Sequence, residues 1–267
     1  MDHIQHAGLL VYLLPYVEQD NIYRQLQVDL NPGNVGPAWY TIPTDWQLAQ
    51  TPIKLFLCAS DNLGDDTSLR GSAMSFHMYN SGATLIPDTD DNTWEDAVIL
   101  DPSNPTVLGR SNYGGCAGLA GRGTSPYWSK YEGMFTNRSK ASLARIPDGT
   151  SNTLMLGEFY GGRENGQREY LGSWMGVGTM PTWGGLPEDG KDFLRAEHFC
   201  SNHPGGVQFC FADGSVRLLR KGSSWIDWFN WALADLWPNN YPPDWWLVQE
   251  LAGMRDGGTR DTSSVLD

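Results

Sequence analysis

No stretch of this chain holds the 18 or more consecutive apolar residues that a membrane-crossing helix requires. Basic residues are scarce: 18 Lys and Arg stand against 31 Asp and Glu, a formal charge of −13. That balance argues against a nucleic-acid partner, because neutralising phosphates needs a basic surface. Cysteine is sparse too, and Cys58, Cys116, Cys200 and Cys210 show no CxxC spacing, which disfavours a zinc ribbon or a thioredoxin-type site. Gly-x-Ser-x-Gly, P-loop, HExxH and dinucleotide-binding patterns are all missing, and no internal repeat or clear linker divides the chain.

What is plentiful points to a packed, turn-rich protein. The 267 residues include 12 Trp, 31 Gly and 16 Pro. Such a length can bury a substantial core, and so many aromatics are out of place in a disordered chain. Gly and Pro punctuate short strands and loops. The expectation is one globular domain over 1–267, with its surface acidic and solvated.

The most informative stretch is 197–220, EHFCSNHPGGVQFCFADGSVRLLR. His203-Pro204-Gly205-Gly206 is turn chemistry, since Pro fixes φ and Gly permits φ > 0. A β-branched and aromatic run follows, then Asp213-Gly214, then Val216, Leu218 and Leu219. An Asp-Gly pair between two such runs predicts antiparallel strands over 206–212 and 215–220, joined by a type I′ turn. Asp213 is expected to bond the turn backbone through its own side chain, and His203 to reach across to the same turn. A catalytic alternative would pair His203 with Asp213 and take Ser151, Ser201 or Cys200 as nucleophile. Turn chemistry explains both residues without it, so the reading is structural and non-enzymatic.

Other segments carry weaker signals. The run 8–14 (GLLVYLL) ends at Pro15, and Tyr16, Val17, Ile22, Tyr23 and Leu26 fall at roughly helical spacing, predicting an amphipathic helix with His3 and His6 exposed ahead of it. Trp46–Gln50 reads as a helical turn, IKLFLC (53–58) as a short buried strand and 75–79 as a strand, while the glycines of 111–118 suggest close backbone approach in a sheet or a bulge. Asp148-Gly149 reads as a turn in which Ser151 and Asn152 satisfy local backbone groups, leading to a strand that ends at Glu158. Glu158 is expected to be buried and hydrogen-bonded, to Asn112 or to His203. Asp88, Asp90, Asp91, Asn92, Glu95 and Asp96 crowd oxygen ligands into one loop. EF-hand spacing fails there, so an acidic surface loop is preferred to a calcium site. The Gly-rich interval 161–190 reads as surface loops and 257–267 as a frayed polar tail. Within 222–251, Trp225, Trp228 and Trp231 suggest a helix over 223–236. Together with Trp245 and Trp246 they form either an apolar layer closing the core or an exposed platform for sugar rings or for a partner protein. The cysteines either pair as Cys200–Cys210 and Cys58–Cys116 or stay as buried thiols.

His203 and Asp213-Gly214 form a His-x9-Asp-Gly pattern. With LLPYVEQDNIY (13–23), IKLFLCASD (53–61), Asn112-Tyr113 and the Asp-Gly-Thr-Ser-Asn-Thr stretch ending in Gly157-Glu158, it resembles the DUF1559 family of planctomycete-type bacteria. Ala59 stands where that family usually has proline. The resemblance implies an exported, extracellular or cell-surface α+β protein: a pseudopilin-like N-terminal helix packed on an antiparallel sheet with large loop insertions. Residues 1–30 would then be the end of the N-terminal helical region, with the anchoring segment preceding Met1. It further implies self-association with pilin-like subunits in a filament or secretion apparatus, or else binding of a carbohydrate or small solute. No cofactor is expected beyond the calcium alternative, and no membrane contact beyond that anchoring helix.

Overall fold

A computed structural model describes residues 5–61, 74–76, 78–80, 93–95, 98–99, 108–122, 127–136, 139–164, 167–169, 172–188, 198–226 and 241–267. The acidic loop candidates Asp88, Asp90, Asp91, Asn92 and Asp96 lie outside them, as do Trp228 and Trp231 and most of the helix expected over 223–236.

The chain is α+β, and its opening segment differs from the expected helix. Residues Leu9–Tyr16 wind as a 3₁₀ helix containing Pro15, and α1 (Asp20–Tyr23) is a single turn. Pro15 removes a backbone donor, and Glu18 between the two takes φ of 60°, so no continuous α-helix passes through. Burial is nonetheless deep. Leu10, Val11 and Leu14 enter a core with Trp39, Phe56, Trp174 and Met175, and the Gly8 amide donates to the Met175 carbonyl at 2.8 Å. His6, expected at the surface, is buried. After α2 (Pro43–Leu48), the IKLFLC stretch forms a 3₁₀ turn over Lys54–Phe56 and no strand. Ile53 and Phe56 point inward three residues apart while Leu55 stays 63% exposed, a period that a strand cannot satisfy.

Short strands β1 (Met74–Phe76), β2 (Met78–Asn80), β3 (Thr93–Glu95) and β4 (Val98–Ile99) precede β5 (Tyr113–Cys116) and β6 (Leu154–Glu158). Then come the hairpin β7 (Gly162–Glu164) and β8 (Gln167–Glu169), β9 (Gly172–Val177) and β10 (Thr179–Met180). Strands β11 (Gly206–Phe211) and β12 (Val216–Arg220) follow, and α3 (Pro243–Ala252) closes the order. The central sheet runs β10-β5-β6-β11-β12. It is antiparallel except for the parallel β10–β5 pair, so the expected all-antiparallel sheet is in fact mixed. A second sheet runs β4-β1-β9.

The expected surface loops at 161–190 contain instead the fully buried strand β9. Its glycine serves close packing: a Cβ at Gly172 would sit 2.4 Å from both Phe159 and Val177. Helix α3 was not foreseen. Pro243 begins it at a position where no amide is needed, and Leu247, Val248, Leu251 and Ala252 face the sheet core beside Leu154, Val207, Phe209 and Leu219. The tail is held as well. The Arg220 amide donates to the Val265 carbonyl at 2.8 Å, Asp267 pairs with Arg220, and Val265 is fully buried. A backbone ladder and one apolar anchor outweigh the polar composition that suggested fraying.

The β11–β12 hairpin has the expected strands and register, from Gly206 opposite Arg220 to Cys210 opposite Val216. Its turn is one residue longer than type I′. Gly214 has φ of 84° while Asp213 does not turn left-handed, and Gly214 donates back to the Phe211 carbonyl at 2.9 Å. This is a type I turn with a glycine bulge, which needs one left-handed residue where type I′ needs two.

Candidate functional site

Four separated segments meet at one end of β6 and β11. Strand β6 delivers Glu158, β5 is preceded by Asn112, the 3₁₀ turn at Lys54–Phe56 feeds Cys58, Ser60 and Asp61, and the loop entering β11 carries His203. Backbone bonds hold these segments together: Asn112 N–H to the Phe56 carbonyl at 2.8 Å, Phe159 N–H to the Asn112 carbonyl at 2.8 Å, Cys200 N–H to the Glu158 carbonyl at 2.9 Å.

Asn112 is the bracket. Its side-chain oxygen accepts from the Cys58 amide at 2.8 Å, and its nitrogen donates to Asp61 at 2.5 Å and to the Phe159 carbonyl at 3.1 Å. Lys221 fixes the other side by donating to the carbonyls of Ser201 and His203 at 2.9 and 2.8 Å. Glu158, 3% exposed, spends Oε2 on the Gln208 amide at 3.0 Å, which aims Oε1 at His203 Nε2, 3.2 Å away. Of the two partners foreseen for Glu158, the imidazole is the one it meets. Cys58 Sγ lies 3.4 Å from the same Nε2, 3.6 Å from Oε1 and 3.0 Å from Ser60 Oγ. Burial, together with the charges of Cys58 and Glu158 nearby, pushes the neighbouring Tyr113 phenol up to about 12.

This geometry is not a nucleophile relay. In a relay the acid and the nucleophile hold opposite imidazole nitrogens. Here Glu158 and Cys58 converge on one nitrogen. Cys58, Glu158 and His203 instead place one donor atom each within 4.8 Å of the others, the arrangement of ligands around a metal ion. The sequence singles out Glu158 and His203, whereas Cys58 reads there as a disulfide half or a buried thiol and not as their neighbour.

Asp213 is elsewhere. It sits at the far end of β11, a strand of six residues and so roughly 17 Å long, so His203 does not reach its turn. Its carboxylate accepts from the Ser215 hydroxyl and amide, which lower its pKa below the usual range, and the expected local bonding is present. The same end gathers the Asp148–Asn152 turn: Asp213 N–H donates to the Thr150 carbonyl at 3.1 Å and Arg217 donates to the Ser151 carbonyl. Gly149 takes φ of 88°, Asn152 donates to the Asp148 carbonyl, and the Asp148 carboxylate accepts from the amides of Asp256 and Gly257. Gly205, at φ of 79°, turns the chain into β11.

Ser201 accepts from the His203 amide, and Cys200 Sγ accepts from the Tyr160 amide at 3.5 Å. All four cysteines are free thiols, and neither Cys200–Cys210 nor Cys58–Cys116 is bridged. Trp245 is 1% exposed, donates to the Trp183 carbonyl and stacks on Tyr241, while Trp246 stacks on Trp128. Trp225 packs against the sheet core. The described tryptophans of this region thus close the core.

A family model described as a protein of unknown function (DUF1559) matches residues 2–221. No curated protein and no solved structure matches the chain.

Proposed function

The chain belongs to the DUF1559 family, and from that membership we propose that it is the non-enzymatic head of an exported, pseudopilin-like cell-surface subunit. The observation that carries this reading is the seating of the N-terminal apolar run. Leu10, Val11 and Leu14 are sunk into the core and Gly8 is tied to β9, so a preceding stalk would be joined rigidly to the head. Pro15 and the left-handed Glu18 would mark where stalk gives way to head. The fully formed local bonding of Asp213 and the shared imidazole nitrogen at His203 both weigh against hydrolysis.

The test is the N-terminal sequence and intact mass of protein isolated from its own cells, with sedimentation velocity of the same material. A hydrophobic extension ahead of Met1, with self-association that rises with concentration, is the expected result. A native start at Met1 with a monomer at all concentrations would overturn it.

A solute-binding reading has one observation in its favour. A cleft of about 260 Å³ opens between the N-terminal segment and the β10 edge, lined by Gln5, Leu9, Tyr12, Asn31 and Phe135 among others. Saturable quenching of Trp fluorescence by a small sugar or amino acid would favour it.

A further inference from the structure

We propose that Cys58, Glu158 and His203 bind one divalent transition-metal ion of the zinc class, leaving one coordination position for water or an external ligand. The distances carry the argument. A tetrahedral zinc with ordinary bond lengths separates a thiolate from an imidazole nitrogen by about 3.6 Å, a thiolate from a carboxylate oxygen by about 3.6 Å, and nitrogen from oxygen by about 3.4 Å. The corresponding separations here are 3.4, 3.6 and 3.2 Å. The three donors already stand close to three corners of a coordination tetrahedron.

The donor chemistry selects the ion. Thiolate and imidazole suit zinc, copper and cobalt, whereas calcium and magnesium take oxygen ligands. A thiolate and a carboxylate together neutralise a divalent charge, so a buried ion would leave no net charge behind. Surrounding bonds also hold the ligands in place: Gln208 aims Glu158, Asn112 holds the Cys58 backbone, and Lys221 holds both carbonyls flanking the His203 loop. The His203 side chain is 28% exposed against 4% for Glu158, so the open position faces solvent on the imidazole side. The four segments that supply these groups are among the five stretches that carry the family resemblance.

The competing arrangement is a hydrogen-bonded cluster in which the Cys58 thiol and the imidazole both donate to Glu158. Cobalt separates the two. Full-length protein, reduced and stripped with a chelator, is titrated with Co²⁺ and then with Zn²⁺. Expected are a near-ultraviolet thiolate-to-cobalt band saturating at one ion per chain and its displacement by zinc. Cys58→Ser should abolish the band, and His203→Gln and Glu158→Gln should weaken cobalt binding at least tenfold, while Cys210→Ser leaves it unchanged. No thiolate band in the wild type, or one that persists in Cys58→Ser, overturns the proposal. Should Cys58→Ser fail to fold, alkylation of the wild type decides. Zinc should protect Cys58 at least tenfold while Cys210 reacts as before, and equal labelling of Cys58 with and without zinc refutes the site.

Discussion

Replacing Asn112 by alanine should loosen the site and the fold together. Asn112 is 2% exposed, and its loss removes one hydrogen bond each from the Cys58 amide, the Phe159 carbonyl and the Asp61 carboxylate. At about 1 kcal/mol for each neutral bond and about 1.5–3 kcal/mol for the bond to a carboxylate, the variant loses roughly 3.5–5 kcal/mol. Each kcal/mol lowers the midpoint of a chain this size by about 2–4 °C, so the melting temperature should fall by roughly 7–20 °C. Calorimetry and urea denaturation read the stability, and the alkylation rate of Cys58 reads the release of its loop. Asn112→Asp supplies the control. It keeps an acceptor for the Cys58 amide but sets a second carboxylate against Asp61. Its deficit is therefore present above the carboxylate range and relieved as pH falls through it. A drop of less than about 2 °C in Asn112→Ala, with Cys58 no more reactive, would refute the bracket.

At Gly157 there is no room for a methyl group. A Cβ there would lie 2.4 Å from the Phe209 ring and 2.6 Å from Phe199, so Gly157→Ala should cost about 1–3 kcal/mol in urea denaturation. Burial and the nearby Asp148 and Glu250 charges push the Asp256 carboxyl up to about 7. A raised folded-state value means the native state holds the proton longer. Stability should fall as pH rises from about 4 towards 7, and Asp256→Asn should flatten that slope and raise the melting temperature at pH 7.5. Deleting residues 262–267 removes the fully buried Val265 and the partner of the Arg220 amide. Exchange at Arg220 should accelerate, and stability should drop by at least the roughly 1.5–3 kcal/mol of one buried aliphatic side chain.

Where local chemistry determines local structure, the sequence was readable. Asp213-Gly214 between two β-rich runs marked the hairpin, though only tertiary register decides between two left-handed residues and one. The strand ending at Glu158 followed from the Asp148-Gly149 turn and the apolar run after it. Failures arose where composition admits two packings. Glycines around Gly172 read as loop because nothing local shows that Phe159 and Val177 press on that position. IKLFLC is apolar enough for a strand, yet its burial repeats every third residue. Pro243 and Asp244 were start signals for α3 that the cluster of prolines obscured. The contact of Glu158 with His203 was foreseen, but Cys58 lies 100 residues from one and 145 from the other, a closure no periodicity reports.

The convergence of Cys58, Glu158 and His203 on one point is tested most directly by diffraction from crystals grown with zinc, measured on both sides of the zinc absorption edge. A single anomalous peak about 2.3 Å from Cys58 Sγ and about 2.0–2.2 Å from the donor atoms of the other two is the predicted result. A map in which the three side chains stand apart, or in which zinc binds only elsewhere, would contradict it.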